Sequence, residues 1–324
     1  MSFFDGKKVL VAGGAGFIGS HLVEALLRRA PKARVTVAAR PGGSLANLAA
    51  VRRDIAVVRA DLSSRAGALK ACRGQEVVLN LAGRVGGVGF NSARHASQFA
   101  DNMALALNLT EAARAQGAGR LLVASSACVY PCSARVPTPE SDGALGRPEA
   151  TNEGYGWAKR MSEFLGQAAA RESGLQVAIA RPYNVYGPRD RFGEEHSHVI
   201  AALVARAVRG DDPLLVWGNG KPTRSFLFVE DAARGLLDVA ERYAKADPVN
   251  LGSDEEISIG ALARLILTLS GSKARLRFDP GKPAGQRRRR GDLRKAAKAA
   301  GFRARVSLAE GLARTIAWAR ERAR

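Results

Sequence analysis

The sequence predicts an α/β fold: a doubly wound parallel sheet with a smaller α/β C-terminal lobe. Three observations predict it. Short β-branched runs alternate with amphipathic helical stretches through the first half of the chain. A glycine-rich turn joins the first run to the first helical stretch. Beyond about Tyr183 the alternation loosens into loops, short strands and short helices. Strands alternating with helices at this spacing form parallel βαβ units, whose crossover helices cover both faces of a sheet.

The elements follow in order. KKVLVAG is a strand, and SHLVEALLRRA is the amphipathic helix after it. RVTVAAR, IAVVRADL and EVVLNLAG are the second, third and fourth strands. The long helix QFADNMALALNLTEAARAQG leads into the fifth strand, RLLVASS. A helix around YGWAKRMSEFLGQAAARESG precedes the strand QVAIARPYN. HVIAALVARAVRG reads as a helix. PLLVWGNGKPTRSFLFVEDAARGLLDVAERY reads as strand, glycine turn, strand and helix. PVNLGS is one more short strand, and SLAEGLARTIAWARER a closing amphipathic helix.

The bulk numbers narrow the class. With 324 residues, 46% of them hydrophobic, the chain can bury a full core. No apolar run reaches the roughly 18 residues that a membrane span needs. MSFFDGKKVLVAGG runs straight into a strand without a signal pattern, so a cytoplasmic protein is expected. Cys72, Cys128 and Cys132 are an odd set without zinc spacing, which argues against both a disulfide framework and a metal site. The net charge is +20, but the arginines are spread along the chain and aromatics are sparse at 6%. That pattern argues against nucleic acid; it reads first as an arginine-rich surface composition and next as a potential that draws in an anionic substrate.

VLVAGGAGFIGSHL places Gly13, Gly16 and Gly19 between strand and helix. Glycines there permit a tight turn and let the backbone approach a pyrophosphate, which the helix N-terminus then stabilises. This is the context of a Rossmann dinucleotide site. An acidic end to the second strand would grip the ribose of NAD, whereas here the strand ends in Ala39 and Arg40. Arginine suits a 2′-phosphate, so NADP(H) is favoured, with NAD the alternative. Asp61, ending the third strand, is placed either to meet the adenine or to cap the next segment.

YGWAK puts Tyr155 and Lys159 at i and i+4, on one helix face. An ammonium beside a phenol lowers its pKa and readies it to exchange a proton with an alcohol oxygen. Ser126, at the end of RLLVASS, is the hydroxyl expected to orient that oxygen.

Together GGAGFIG, SSACVYP, YGWAK, RPYNVYGP and WGNGKPTRSFLFVED resemble the extended short-chain dehydrogenase/reductase family, the NAD-dependent epimerase/dehydratases, over essentially the whole chain. These enzymes act on nucleotide sugars. RVGGVGFNS and HSHVIAAL, which begins at His196, narrow the resemblance to the GDP-L-fucose synthase and GDP-mannose 3,5-epimerase branches. The resemblance implies that Cys128 is a base and His198 an acid, inverting carbons beside a 4-keto group. A thiol of pKa about 8.5 and an imidazole of about 6.5 are both within reach of neutral pH. It extends the cofactor site to Phe17, Ile18, Leu62, Leu81, Ala82, Lys159, Tyr183 and Val185. It extends the substrate site to Val85, Gly86 and Gly87 of the VGG loop, and to Asn184, Val199 and Trp217. Arg224, and Arg287 to Arg290 in the RRRRGD run, lie where the family holds phosphate and ribose; Arg289 matches a diphosphate arginine, with Arg287 next.

The features pull two ways. His198 and Arg40 favour the NADP-using epimerase/reductase, because the mannose epimerase has a lysine at the acid position. SSACVYP and PVNLGSDEEISI favour the mannose epimerase. The rivals are a simpler 4-epimerase or 4,6-dehydratase acting on UDP-sugars, and a non-catalytic reductase-like binding protein. The expected domains are residues 1–182 with a return segment 214–252 for NAD(P), and 183–213 with 253–324 for the nucleotide sugar. The helices Gln98 to Gln116 and Glu153 to Ser173 are expected to build a four-helix bundle in a homodimer, by analogy.

Overall fold

The computed structural model describes residues 2–193, 197–282 and 285–323. His196, which opens the HSHVIAAL stretch, lies outside them. The first half runs β1 (Lys8–Ala12), α1 (Phe17–Arg29), β2 (Arg34–Ala39), β3 (Ala56–Arg59), α2 (Arg65–Cys72) and β4 (Val77–Asn80). Then come α3 (Val88–Ser92), α4 (His95–Ala115), β5 (Arg120–Ala124), α5 (Glu153–Ser173) and β6 (Gln176–Pro182). The second half contains β7 (Val185–Tyr186), α6 (Val199–Arg209), β8 (Leu214–Trp217), β9 (Thr223–Ser225), β10 (Leu227–Phe228) and α7 (Val229–Arg242). It closes with β11 (Val249–Leu251), β12 (Glu256–Ser258), α8 (Ile259–Leu269), β13 (Leu276–Asp279), β14 (Arg288–Arg289) and α9 (Leu308–Ala323).

Seven strands form one sheet in the order β11-β6-β5-β4-β1-β2-β3, with every neighbour parallel. They are seven of the nine strands read from the sequence; the two in PLLVWGNGKPTRSFLFVED pair elsewhere. β1 and β4 are adjacent, so the chain reverses direction across the sheet there, and the crevice over their carboxyl ends is the expected ligand site. The central strands are buried on both faces. Val9, Val11, Leu79 and Leu122 face one core with α1 and α7. Leu10, Val78, Leu121 and Val123 face a second core with α2, α4 and α5. Continuous burial explains why these strands read as apolar runs rather than alternating ones.

The return to this sheet begins later than expected. Residues 214–225 pair elsewhere: β8 joins β13, and β9 joins β12 and β14. Only α7 and β11 rejoin the large sheet and its cover. The two strands flanking the glycine turn of VWGNGKPTRSF sit in separate small sheets of the lobe, whose core is Ile200, Leu203, Leu262, Ile266, Leu312 and their neighbours. No helix among the described residues is long and apolar enough to cross a membrane.

Candidate active site

The cleft over the switch point has a volume of about 1460 Å³ and runs from the glycine turn to the lobe. At its first end, Gly13 has φ +79°, and a Cβ there would meet Leu81 backbone at 2.8 Å. A Cβ on Gly19 would lie 2.1 Å from the Gly13 oxygen. Backbone meets backbone at both points, so only glycine fits. Gly16 precedes α1 and supplies no side-chain cap, and Gly16, Phe17 and Ile18 line the crevice, so the first N–H groups of the helix lack a side-chain partner there. This cradle fits the pyrophosphate of a dinucleotide.

Phe17, Ile18, Leu62, Leu81 and Ala82 line the same end. Arg40 sits exposed at its lip, next to Gly43 and Ser44. The Arg59 guanidinium donates to the carbonyls of Arg40 and Gly43 at 3.0 and 2.6 Å, which fixes that loop. Asp61 turns back on its own segment: its carboxylate accepts from the Ser63 hydroxyl at 2.7 Å and the Ser63 N–H at 3.0 Å. Those two bonds hold its carboxyl below the usual range.

The middle of the cleft gathers Ser126, Cys128, Tyr155 and Lys159. β5 delivers the first two at its carboxyl end, and the first turns of α5 deliver the others. Ser126 Oγ accepts the Cys128 N–H at 3.1 Å, capping a short turn, and it hydrogen-bonds the Tyr155 hydroxyl. Cys128 is half-buried and acts electrostatically on Tyr155, Lys159 and Arg289.

The expected lowering of the phenol is not what the geometry gives. Burial, reinforced by Cys128, pushes the Tyr155 hydroxyl above its ordinary value, against the Ser126 hydrogen bond. Lys159 Nζ instead donates to the Ala124 carbonyl at 2.7 Å. It stands 5.5 Å from the centre of the Tyr155 ring. Burial lowers the Lys159 ammonium to about 8, and the Glu163 and Cys128 charges offset this only in part. The shared helix face is as expected, but the ammonium points to the strand end.

Behind these groups runs a buried polar chain. Arg181 donates to both Glu163 oxygens at 2.8 and 2.6 Å, and to the Tyr130 hydroxyl at 2.8 Å. Ser125 donates to Glu163 as well, and Tyr130 donates to Asn250 at 2.5 Å. Glu163 lies one helical turn beyond Lys159, so this chain fixes both α5 and the end of β5.

At the lobe end, Asn184, Val185, His198, Val199, Trp217, Arg224 and Arg289 line the cleft, facing Val85, Gly86 and Gly87. Asn91, Gln98 and Asn102 hold the VGG loop from beneath: the Gly86 N–H donates to Asn91 at 3.3 Å, and the Arg84 N–H to Asn102 at 3.0 Å. Asn184 has φ +36° and donates its amide to the Ser225 carbonyl at 2.8 Å, so it also splices β7 to the lobe. His198 caps the start of α6, and its Nδ1 lies 3.2 Å from Asp190.

The arginine run divides. Arg288 and Arg290 turn outward to Glu256 and Asp254, as alternation along an extended segment requires. Arg289 turns inward, 12% exposed, donating to the Ala127 carbonyl at 3.1 Å and lying 3.7 Å from Glu149. Burial and the neighbouring Arg289 lower the Arg224 guanidinium to about 10. Two residues expected in the site lie outside its lining. Arg287 is exposed beyond the cleft. Tyr183 is fully buried against Tyr130, ring centres 6.0 Å apart: Pro182 and Asn184 on either side line the cleft, and alternation along the extended segment turns Tyr183 the other way, into the core. Glu149 and Asp190 line the cleft but were not anticipated. Each stands alone in a loop, and no periodicity marks it.

An uncapped helix start in a glycine cradle, with Ser, Tyr and Lys beyond it, defines a nicotinamide-dependent enzyme of the short-chain reductase class. The chain belongs to the NAD dependent epimerase/dehydratase family, whose sequence signature matches residues 9–252. It is 32% identical to a GDP-L-fucose synthase of Sinorhizobium fredii over 97% of this chain and 96% of that one. It is 33% identical to a GDP-mannose 3,5-epimerase of Arabidopsis thaliana, covering 81% of this chain and 69% of that one. Among solved structures, a UDP-glucose 4-epimerase of Thermotoga maritima crystallised with UDP-glucose superposes with a TM-score of 0.88. The identity there is 27%, and the match covers 98% of this chain and 100% of that one.

Proposed function

We propose that this enzyme is a nucleotide-sugar epimerase/reductase of the GDP-sugar class, which inverts carbons beside a C4 ketone and moves hydride at C4. The observation that carries the proposal is that Cys128 and His198 line one cleft with Ser126, Tyr155 and Lys159. A simple 4-epimerase needs only the last three. Cys128 comes from the sheet and His198 from the lobe, so a sugar lying between them meets one group from each side.

The bound nicotinamide would supply or accept hydride at C4. The chain's own residues do the rest. Tyr155 exchanges a proton with the C4 oxygen, and Ser126 orients that oxygen. The Cys128 thiolate takes the proton from the carbon next to the ketone and becomes a thiol. The C–H electron pair moves into the carbonyl, giving an enolate. His198 then delivers a proton to the other face of the same carbon, and the pair returns to the C–H bond. Arg224 and Arg289 hold the diphosphate, and Trp217 covers the base or sugar.

Arg40 at the adenosine end, and no acidic side chain ending β2, favour NADP(H) over NAD. A homodimer through α4 and α5 is the expected assembly, with the large apolar side chains Phe99, Leu107 and Phe164 exposed on those helices. The test is turnover against a panel of GDP- and UDP-sugars and their 4-keto forms in deuterated water. Deuterium uptake at C3 or C5 is expected and should fall by about 100-fold or more in Cys128→Ser. Uptake that survives that substitution would overturn the base assignment. Turnover at C4 with no uptake from any keto sugar would favour the 4-epimerase.

A further inference from the structure

Asp190 is a buried carboxylate in the wall of the cleft. Its side chain is 4% exposed, against 41% for that of His198. Its two oxygens lie 3.3 and 3.2 Å from His198 Nδ1. One of them also accepts the Arg191 N–H at 2.8 Å, so the carboxylate cannot swing freely.

The turn that carries it is anchored from outside the lobe. Arg189 has φ +70° and donates to Glu24 at 2.7 Å and Ser20 at 3.2 Å, both on α1. His21, also on α1, meets the Pro188 carbonyl at 3.0 Å through Nε2. The nucleotide-binding helix therefore holds the loop that holds Asp190.

An imidazole has two nitrogens, and the partner of one decides what the other can do. A carboxylate at Nδ1 repels that nitrogen's lone pair and favours a proton there. Nε2 is then the atom left to exchange with a ligand. We propose that Asp190 is a positioning residue: it holds the His198 Nδ1 proton and stabilises the doubly protonated ring, so that His198 gives its Nε2 proton to the carbon and is left as the neutral Nδ1–H tautomer, while Cys128 takes the proton on the other face. This rests on the epimerisation reading above. Burial alone would disfavour the charged ring, and the charge and hydrogen bond of Asp190 together outweigh it and raise the histidine above its ordinary value. The charged groups acting on the ring are Asp190 and, with opposite sign, Arg191.

The test follows the ring directly. Full-length protein carrying 15N-histidine is titrated by NMR as wild type, Asp190→Asn and Asp190→Glu, with His198→Gln to assign the signal. The neutral wild-type ring should be the Nδ1–H tautomer. Asp190→Asn should lower its titration midpoint by about one pH unit or more, and Asp190→Glu should restore most of it. In parallel, deuterium uptake from a 4-keto sugar at pH 7.5 should fall about 10-fold in Asp190→Asn, because fewer rings carry the donor proton. An unchanged midpoint and tautomer in Asp190→Asn would overturn the proposal, as would a wild-type uptake rate despite a moved midpoint. Absence of uptake in wild type would instead sink the epimerisation reading, and the ring titration would still decide the hold of Asp190 on His198.

Discussion

Replacing Lys159 by methionine should make the cofactor-free protein more stable at neutral pH while destroying its chemistry. Lys159 is 8% exposed, and burial moves its ammonium from 10.5 to about 8. A shift of about 2.5 pH units, at about 1.4 kcal/mol each, means that keeping the charge costs the fold roughly 3 kcal/mol. Methionine has a similar length and carries no charge. It forfeits the hydrogen bond to Ala124, worth about 1.5 kcal/mol. The net expectation is a gain of about 1–2 kcal/mol at pH 7. The sign with pH follows from which state holds the proton. Between pH 8 and 10.5 the unfolded chain keeps its lysine proton and the folded chain has lost it, so wild-type stability rises across that window. The advantage of the variant should shrink there and reverse. Urea denaturation of both proteins from pH 6.5 to 10.5 reads this directly. A Lys159→Met protein that is less stable at pH 7, or a difference that does not move with pH, would refute the argument.

Two further outcomes are expected. Arg40→Ala should raise the KM for NADPH about 10- to 100-fold, the value of one charge-assisted contact, and leave NADH nearly unaffected; equal effects on both would remove Arg40 from the 2′-phosphate site. Phe164→Glu, at a position 59% exposed on α5, should convert a dimer to a monomer by light scattering without changing the circular dichroism; an unchanged mass would put the interface elsewhere.

Much of the fold was legible because it is built from parallel units. Each buried strand is a continuous apolar run, and the turn at Gly13, Gly16 and Gly19 permits no other residue type at its tightest points. The family read from the motifs is the one the comparisons return. The lobe was harder. Its strands have two to four residues, too short to show a period, so the pairing of β8 with β13 rather than the large sheet left no trace in the sequence. α8, IGALARLILTL, was not anticipated because it is apolar nearly all round and resembles a buried run. Within the site, spacing placed Tyr155 and Lys159 on one face, but spacing says nothing about a side chain's end. The Lys159 ammonium found a strand carbonyl one layer down. The same limit hid Tyr183, whose motif marks the cleft while its ring belongs to the core. Glu149 matters through Arg289, far away in sequence, and Asp190 through His198, eight residues on across a loop, a spacing that matches no helix or strand period.

The contact between α1 and the turn at residues 187–190 bears on how this enzyme can change. The helix whose first amides face the dinucleotide also fixes, through Glu24, Ser20 and His21, the loop beside His198. The glycine cradle and the setting of His198 thus share a beam. A lineage, or an engineer, that reshapes α1 to suit another dinucleotide shifts the far end as well. Substitutions at Glu24 or His21 would look silent on any map of ligand contacts, yet they limit which cofactor changes this scaffold tolerates.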